Sequence, residues 1–203
     1  MTAKPLPADY RAALEGIAWY RHHDPGCLSI QGRDQAAFLQ RQTTHDVRLL
    51  NGDRALPTIL TSSNARILDV LYLLPGSEGN ILALTLPGQG AATAAYFKKR
   101  IFFMDQVAVE DLSAAYTQID LIGPCREDIL QPMGFTRAPT ADEILTAEWE
   151  GCLVYLLHNS APLWPGWRLF FPAGISTTID RVLEQVGATQ LTDENYHLLH
   201  LEN

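Results

Sequence analysis

The side chains best able to do chemistry here are ionisable groups in unusual company. Arg66 and Asp69 lie three apart in the apolar run Arg66-Ile67-Leu68-Asp69-Val70-Leu71. On a strand that spacing turns the two side chains to opposite faces. A carboxylate among such neighbours must find donors or bear a desolvation cost of several kcal/mol. Two environments satisfy it: water beside an edge strand, or a ligand whose N–H groups are held against the acid.

Other constellations are weaker. His22-His23-Asp24 supplies nitrogen and oxygen ligands, but adjacent residues rarely close around one ion, and the further ligands at recognised spacing are missing. The expectation is a solvated loop pair, with no metal site. Cys27, Cys125 and Cys152 form no CxxC pair, so neither a zinc ribbon nor a disulfide framework is supported. Cys27 and Cys152 fall in apolar strand patterns and read as small buried hydrophobes. There is no G-x-S-x-G. Pro87-Gly88-Gln89-Gly90 matches no nucleotide loop and reads as the turn into a helix.

The elements that must position these residues follow from periodicity. Residues 7–20 carry apolar groups at helical spacing, and Asp24-Pro25-Gly26 breaks the pattern. Residues 27–31 alternate as a short strand, and a helix runs from Arg33 to Gln42. Residues 56–61 and 66–74 form a hairpin around Ser62-Ser63-Asn64-Ala65, followed by a strand at 81–86. A helix over 88–103 leads to strands at 106–111 and 115–122. Gly123-Pro124 opens a helix. Strands at 152–157 and 167–171 flank a Pro-rich loop, and helices cover 174–186 and 192 to the end. Hairpins mixed with helices, without regular βαβ alternation, predict an α+β fold.

Composition fits this. The 203 residues are 47% hydrophobic and 19% charged, an ordinary globular balance. Fifteen Lys and Arg against 23 Asp and Glu give a net charge of −8, which repels phosphate backbones at long range and argues against a general nucleic-acid binder, though not against a local basic groove. The N-terminus has no apolar h-region, so no signal peptide is expected. The run from Ile67 to Leu74 is too short to cross a membrane. A cytoplasmic protein is the expectation. The amphipathic ending Tyr196 to Asn203 lacks a stop signal and reads as the edge of a longer protein.

Residues 28–72 resemble one superfamily. The carriers are Leu28-Ser29-Ile30-Gln31-Gly32-Arg33-Asp34, then Phe38-Leu39-Gln40-Arg41-Gln42-Thr43-Thr44-His45-Asp46-Val47, then Leu60-Thr61 and Arg66-Ile67-Leu68-Asp69. Ile119-Asp120-Leu121-Ile122-Gly123-Pro124 and Leu199-His200-Leu201-Glu202 extend the match, with His200 where the family usually has Arg. The pattern is similar to the folate-binding superfamily of the glycine-cleavage T-protein (aminomethyltransferase) and the YgfZ-type proteins. The resemblance implies two small domains of that fold, the second a ferredoxin-like plait, with the C-terminal barrel missing. Residues 27–56 plus 113–203 would form the first folate-binding domain, 57–112 the inserted plait, and 1–26 an N-terminal helix and loop.

Departures sort the branches. Arg21 stands at the acidic position of the T-protein segment before the first strand, the Tyr-Thr-Gly-Glu loop is replaced by Leu163-Trp164-Pro165-Gly166-Trp167, and Val70 follows Asp69 where T-proteins have a second aspartate. The resemblance therefore favours a YgfZ-like accessory protein that binds tetrahydrofolate or a derivative, linked to iron–sulfur cluster maintenance or tRNA modification. Its partners would be folate and iron–sulfur proteins. The alternatives are an aminomethyltransferase of the glycine cleavage system and a ligand-free interaction scaffold; any activity would be aminomethyltransferase-like. By the same matching, Asp69 and Glu202 are the carboxylates for the pterin edge and Arg66 the cation for the ligand. Asp46 is expected to organise a turn.

Overall fold

The structure, a computed structural model, describes residues 6–124, 129–141, 143–159 and 166–201. It divides into two compact units: residues 1–22, 118–141 and 145–203 make one, and residues 23–117 with 142–144 the other. The α+β architecture expected above is what the chain forms.

The first unit holds a six-stranded sheet. Its strands are β1 (Ala18–Arg21), β7 (Tyr116–Ile122), β8 (Ile144–Trp149), β9 (Cys152–Asn159), β10 (Gly166–Pro172) and β11 (Thr189–Gln190), in the order β11-β1-β7-β10-β9-β8. Strand alternation sorts its side chains. Trp19, Ile119, Leu121, Leu169 and Phe171 share one core with Leu183 of helix α4 (Ser176–Gln185). The opposite face packs Ala18, Tyr20 and Ile122 with residues of helices α1 (Ala8–Glu15) and α5 (Asp193–Leu201). β10 must run close beside β7: a Cβ on Gly166 would meet the Leu121 carbonyl oxygen at 1.9 Å, so no side chain is tolerated there.

The second unit contains β2 (Cys27–Gln31), α2 (Gln35–Gln42), β3 (Leu56–Thr61), β4 (Ile67–Pro75), β5 (Ile81–Leu84), α3 (Gly90–Lys98) and β6 (Ala108–Asp111). Its sheet order is β3-β4-β5-β2-β6 and every pairing is antiparallel. Leaving β3 aside, this is the β-α-β-β-α-β plait, with β3 added at one edge. Leu28, Ile30, Leu71 and Leu73 turn toward Phe38 of α2 and Phe97 of α3 to form the core.

Three differences from the sequence reading have physical causes. The plait begins at Cys27, not at residue 57, because β2 lies inside the sheet between β5 and β6. The first helix stops at Glu15, and Ala18–Arg21 is a strand paired with β7 and β11. Gly16 interrupts the helix there, and the following Trp19-Tyr20 pair favours the pleated surface. Arg66 lies in the turn before β4, so strand parity does not reach it; the hairpin register slips so that Leu60 faces Asp69 while Thr61 faces Ile67, leaving Leu68 as the extra residue of a bulge. The helix start expected at Pro124 falls mostly outside the described residues. No helix among the described residues is long and apolar enough to cross a membrane.

Candidate functional site

Asp120 is a buried carboxylate of the first unit with three side-chain partners. β7 places Ile119 and Leu121 on the α4 face, so Asp120 points to the opposite face, where Tyr20 lies directly across the ladder. β10 turns Arg168 to that same face. The carboxylate is fully buried. Arg168 donates through Nε at 2.7 Å and through Nη2 at 2.9 Å, one bond to each carboxylate oxygen. The Tyr196 hydroxyl donates at 2.9 Å, and His22 Nε2 lies at 3.0 Å. The rings of Tyr20 and Tyr196 stack with centroids 3.7 Å apart, and His22 sets its edge against both.

The electrostatics fix what this cluster can do. Burial alone would push the Asp120 acid up, but the Arg168 guanidinium and the His22 hydrogen bond outweigh it and hold the carboxyl well below its usual range. Burial, then the Asp120 charge, pushes the Tyr196 phenol up; burial and Asp193 do the same for Tyr20. A general acid or base needs a pKa near the working pH. Asp120 stays ionised and the phenols stay protonated, so these three groups act as fixed hydrogen-bonding and charge partners. His22, expected in a solvated loop, is buried within it; the sequence window shows only a His pair before a turn, whereas its partner is 98 residues away.

Asp69 is the corresponding buried acid of the second unit. It shares the helix-covered face of β4 with Leu71 and Leu73, and β4 is an interior strand rather than an edge. Its side chain is fully buried. One carboxylate oxygen accepts the backbone N–H groups of Val70 at 2.8 Å and Leu86 at 3.0 Å. The other accepts the Thr93 hydroxyl at 2.5 Å. The donors that such an acid requires therefore come from the chain itself, and they tie β4, the end of β5 and α3 together.

Arg66 is exposed at the hairpin turn. Glu202 lies outside the described residues. Asp46 organises its turn as expected, accepting the Arg48 backbone N–H at 3.1 Å and both Nε and Nη2 of the same arginine. Among the described residues no group of three or more His, Cys, Asp or Glu side chains is placed to hold a metal ion.

A groove of about 340 Å³ in the second unit is lined by His45, Leu49, Asn51, Arg54, Ala55, Leu56 and Pro57. Its polar rim is fixed locally: His45 Nδ1 lies 2.7 Å from the Pro57 carbonyl oxygen, and the His45 N–H donates to Thr58 Oγ1 at 3.0 Å. Apolar walls with one guanidinium, one imidazole and one amide suit a flat, polar-edged molecule that carries an anionic group. Sequence reasoning passed over Arg54, because Asn51-Gly52-Asp53 reads only as a turn. The groove and Arg66 sit at opposite ends of β3, whose six residues span roughly 17–20 Å.

No protein-family model matches the chain. It is 29% identical over 168 residues to an aminomethyltransferase of Moorella thermoacetica, a match covering 80% of this chain and 44% of that protein. An aminomethyltransferase of Oceanobacillus iheyensis is 27% identical over 107 residues, covering 52% of this chain and 29% of the relative. The chain thus spans less than half the length of these relatives. Among solved structures, the glycine cleavage system aminomethyltransferase T of Bartonella henselae superposes with a TM-score of 0.76 at 17% identity, over 90% of this chain and 50% of that one. A chain of the heterotetrameric sarcosine oxidase of Corynebacterium superposes with a TM-score of 0.60 at 16% identity, over 89% of this chain and 90% of its own.

Proposed function

We propose that this chain, which belongs to the superfamily of the glycine-cleavage T-protein over the part of the fold it spans, binds tetrahydrofolate or a close derivative. The observation that carries the reading is the groove of the second unit: apolar Leu49, Ala55, Leu56 and Pro57 beside Arg54 and His45. A pterin is flat and polar-edged, and the glutamyl tail of a folate is anionic, so Arg54 is assigned to a carboxylate of the ligand.

Arg66, exposed at the far end of β3, is the alternative cationic contact. Asp69 is assigned an indirect part, holding the hairpin through its three internal hydrogen bonds, and Glu202 keeps the role of a pterin-edge carboxylate that the family matching gives it. Within the superfamily we favour the YgfZ-like branch, a cytoplasmic accessory protein for iron–sulfur cluster maintenance or tRNA modification, since Val70 and Arg21 replace acidic positions of the T-protein pattern. The names of the relatives favour aminomethyl transfer instead. An assay with an aminomethyl-loaded lipoyl carrier decides: methylenetetrahydrofolate production supports transfer, and its absence with folate binding intact supports the accessory reading.

A scaffold without ligand is the second reading, favoured by one observation. A chain that superposes over 90% of its own length belongs to a heterotetrameric enzyme, so this pair of units also occurs as a subunit. Calorimetric titration with tetrahydrofolate separates the two. Saturable binding weakened about tenfold by Arg54→Ala supports the groove; equal weakening by Arg66→Ala alone moves the contact to the hairpin turn. No saturable heat from folded protein supports the scaffold.

A further inference from the structure

In the second unit, three large apolar side chains stand in water on consecutive residues: Phe102 is 62% exposed, Phe103 98% and Met104 72%. Isolated exposed hydrophobes are ordinary, but a contiguous group marks an interaction surface. The turn that carries them is braced. Asp105 accepts the Phe102 N–H at 2.9 Å and Arg41 Nη2 at 2.7 Å, while the Arg41 guanidinium lies 5.6 Å from the centre of the Phe102 ring. The Asp105 N–H closes the turn on the Phe102 carbonyl at 2.9 Å. Phe103 and Met104 are thereby held outward instead of folding back on the core.

The charge beside the turn is equally specific. Lys98, Lys99 and Arg100 are all exposed and immediately precede it. Residues 98–104 carry three cations and no acid, in a chain whose net charge is −8. Arg100 is anchored over the Tyr96 ring at 4.8 Å, and the Tyr96 hydroxyl donates to the Thr61 carbonyl at 3.2 Å, so the basic turn of α3 is fixed to the end of β3. A rigid apolar tip beside three cations fits a complementary surface with an apolar socket and an acidic rim.

We propose that residues 98–104 form a docking element for an acidic amphipathic segment of a partner protein, with Phe103 and Met104 as anchors and Lys98, Lys99 and Arg100 pairing with its carboxylates. A protein is favoured over an anionic membrane because the rest of the chain is strongly acidic and would be repelled by the same lipids that attract three cations. It is favoured over a second copy because the patch is not self-complementary: its charges share one sign, whereas a two-fold interface sets a patch against itself. The inference is independent of folate binding.

The test uses the whole chain and two synthetic amphipathic peptides with the same Leu/Phe face, one rimmed by Glu and the other by Lys, read by fluorescence anisotropy. Saturable binding of the Glu-rimmed peptide is expected, weakened about tenfold or more by Phe103→Ser and, separately, by the double change Lys98→Glu with Lys99→Glu. Circular dichroism should be unchanged, since none of these side chains supports the core. Equal binding of both peptides, or variants that bind as tightly as the parent chain, would overturn the proposal. So would sedimentation of the chain with phosphatidylserine vesicles that depends on Phe103 when the peptides do not bind. A dimer that Phe103→Ser converts to monomer would overturn it in favour of self-association.

Discussion

Asp120 and Arg168, 48 residues apart in the chain, meet in a two-pronged bond with Nε and Nη2 each on its own carboxylate oxygen, on the face of the sheet opposite the α4 core. The carboxylate has no exposed surface. Its hydrogen-bonding capacity is shared among Arg168, Tyr196 and His22, joining β7, β10, α5 and the residue after β1. The pair satisfies the condition under which a buried ion pair is tolerated: good geometry with the remaining lone pairs also met.

Removing one member should therefore be expensive. Asp120→Asn removes the carboxylate charge from a mostly buried ion pair with Arg168, and a loss of about 3–5 kcal/mol is expected. Urea unfolding followed by tryptophan fluorescence measures it. A cost under about 1 kcal/mol would mean that the pair is as weak as a surface salt bridge.

Acid should act through the same residue. The folded-state pKa of Asp120 is depressed, so its stabilisation is present above the unfolded value of about 3.9 and is lost as pH falls below it toward the folded value. Stability should drop with falling pH in that window, and Asp120→Asn should flatten that part of the curve. At the alkaline end the Tyr196 phenol is raised, so its contribution is lost as pH rises past about 10. A parent and variant with parallel acid limbs would contradict the assignment.

Thr93→Val tests the Asp69 clasp. It keeps the shape of Thr93 but removes the hydroxyl that donates to the buried acid, and a cost of about 1–3 kcal/mol is expected. Amide exchange adds a local reading: the Val70 and Leu86 N–H groups, which donate to the same carboxylate, should lose protection in Asp69→Ala and keep it at a distant surface substitution.

Cys27 is buried in β2, and burial pushes its thiol up to about 12. The thiolate is the reactive form, so the Cys27 peptide should remain unlabelled by iodoacetamide at neutral pH in native protein and label fully in urea. Because the folded value is raised, the thiol contributes stability that is lost above its unfolded value of about 8.5. Labelling of Cys27 under native conditions at the unfolded rate would show that β2 opens.

Local patterns revealed much of this molecule and missed its long-range part. The β3–β4 hairpin is visible because apolar strands flank a polar turn, and the family pattern over 28–69 falls on β2, α2 and that hairpin. β1 is hidden because Ile17 and Ala18 continue the helical spacing of Tyr10, Ala13 and Leu14; the break at Gly16 and the pairing with β7 and β11 make it a strand. Asp120 stands in a family motif, yet its chemistry depends on Arg168, Tyr196 and His22, and no window of sequence contains all four. Asp69 was legible as a problem, a carboxylate in an apolar strand. Its answer, Thr93 on α3 and two backbone N–H groups, required the fold.

The reading of the chain as a folate binder meets its most direct test in a calorimetric titration of the folded protein with tetrahydrofolate, repeated with Arg54→Ala. A saturable one-site curve whose affinity falls about tenfold in the variant is the predicted result. A parent chain that gives only the heat of dilution, while circular dichroism reports it folded, would contradict it.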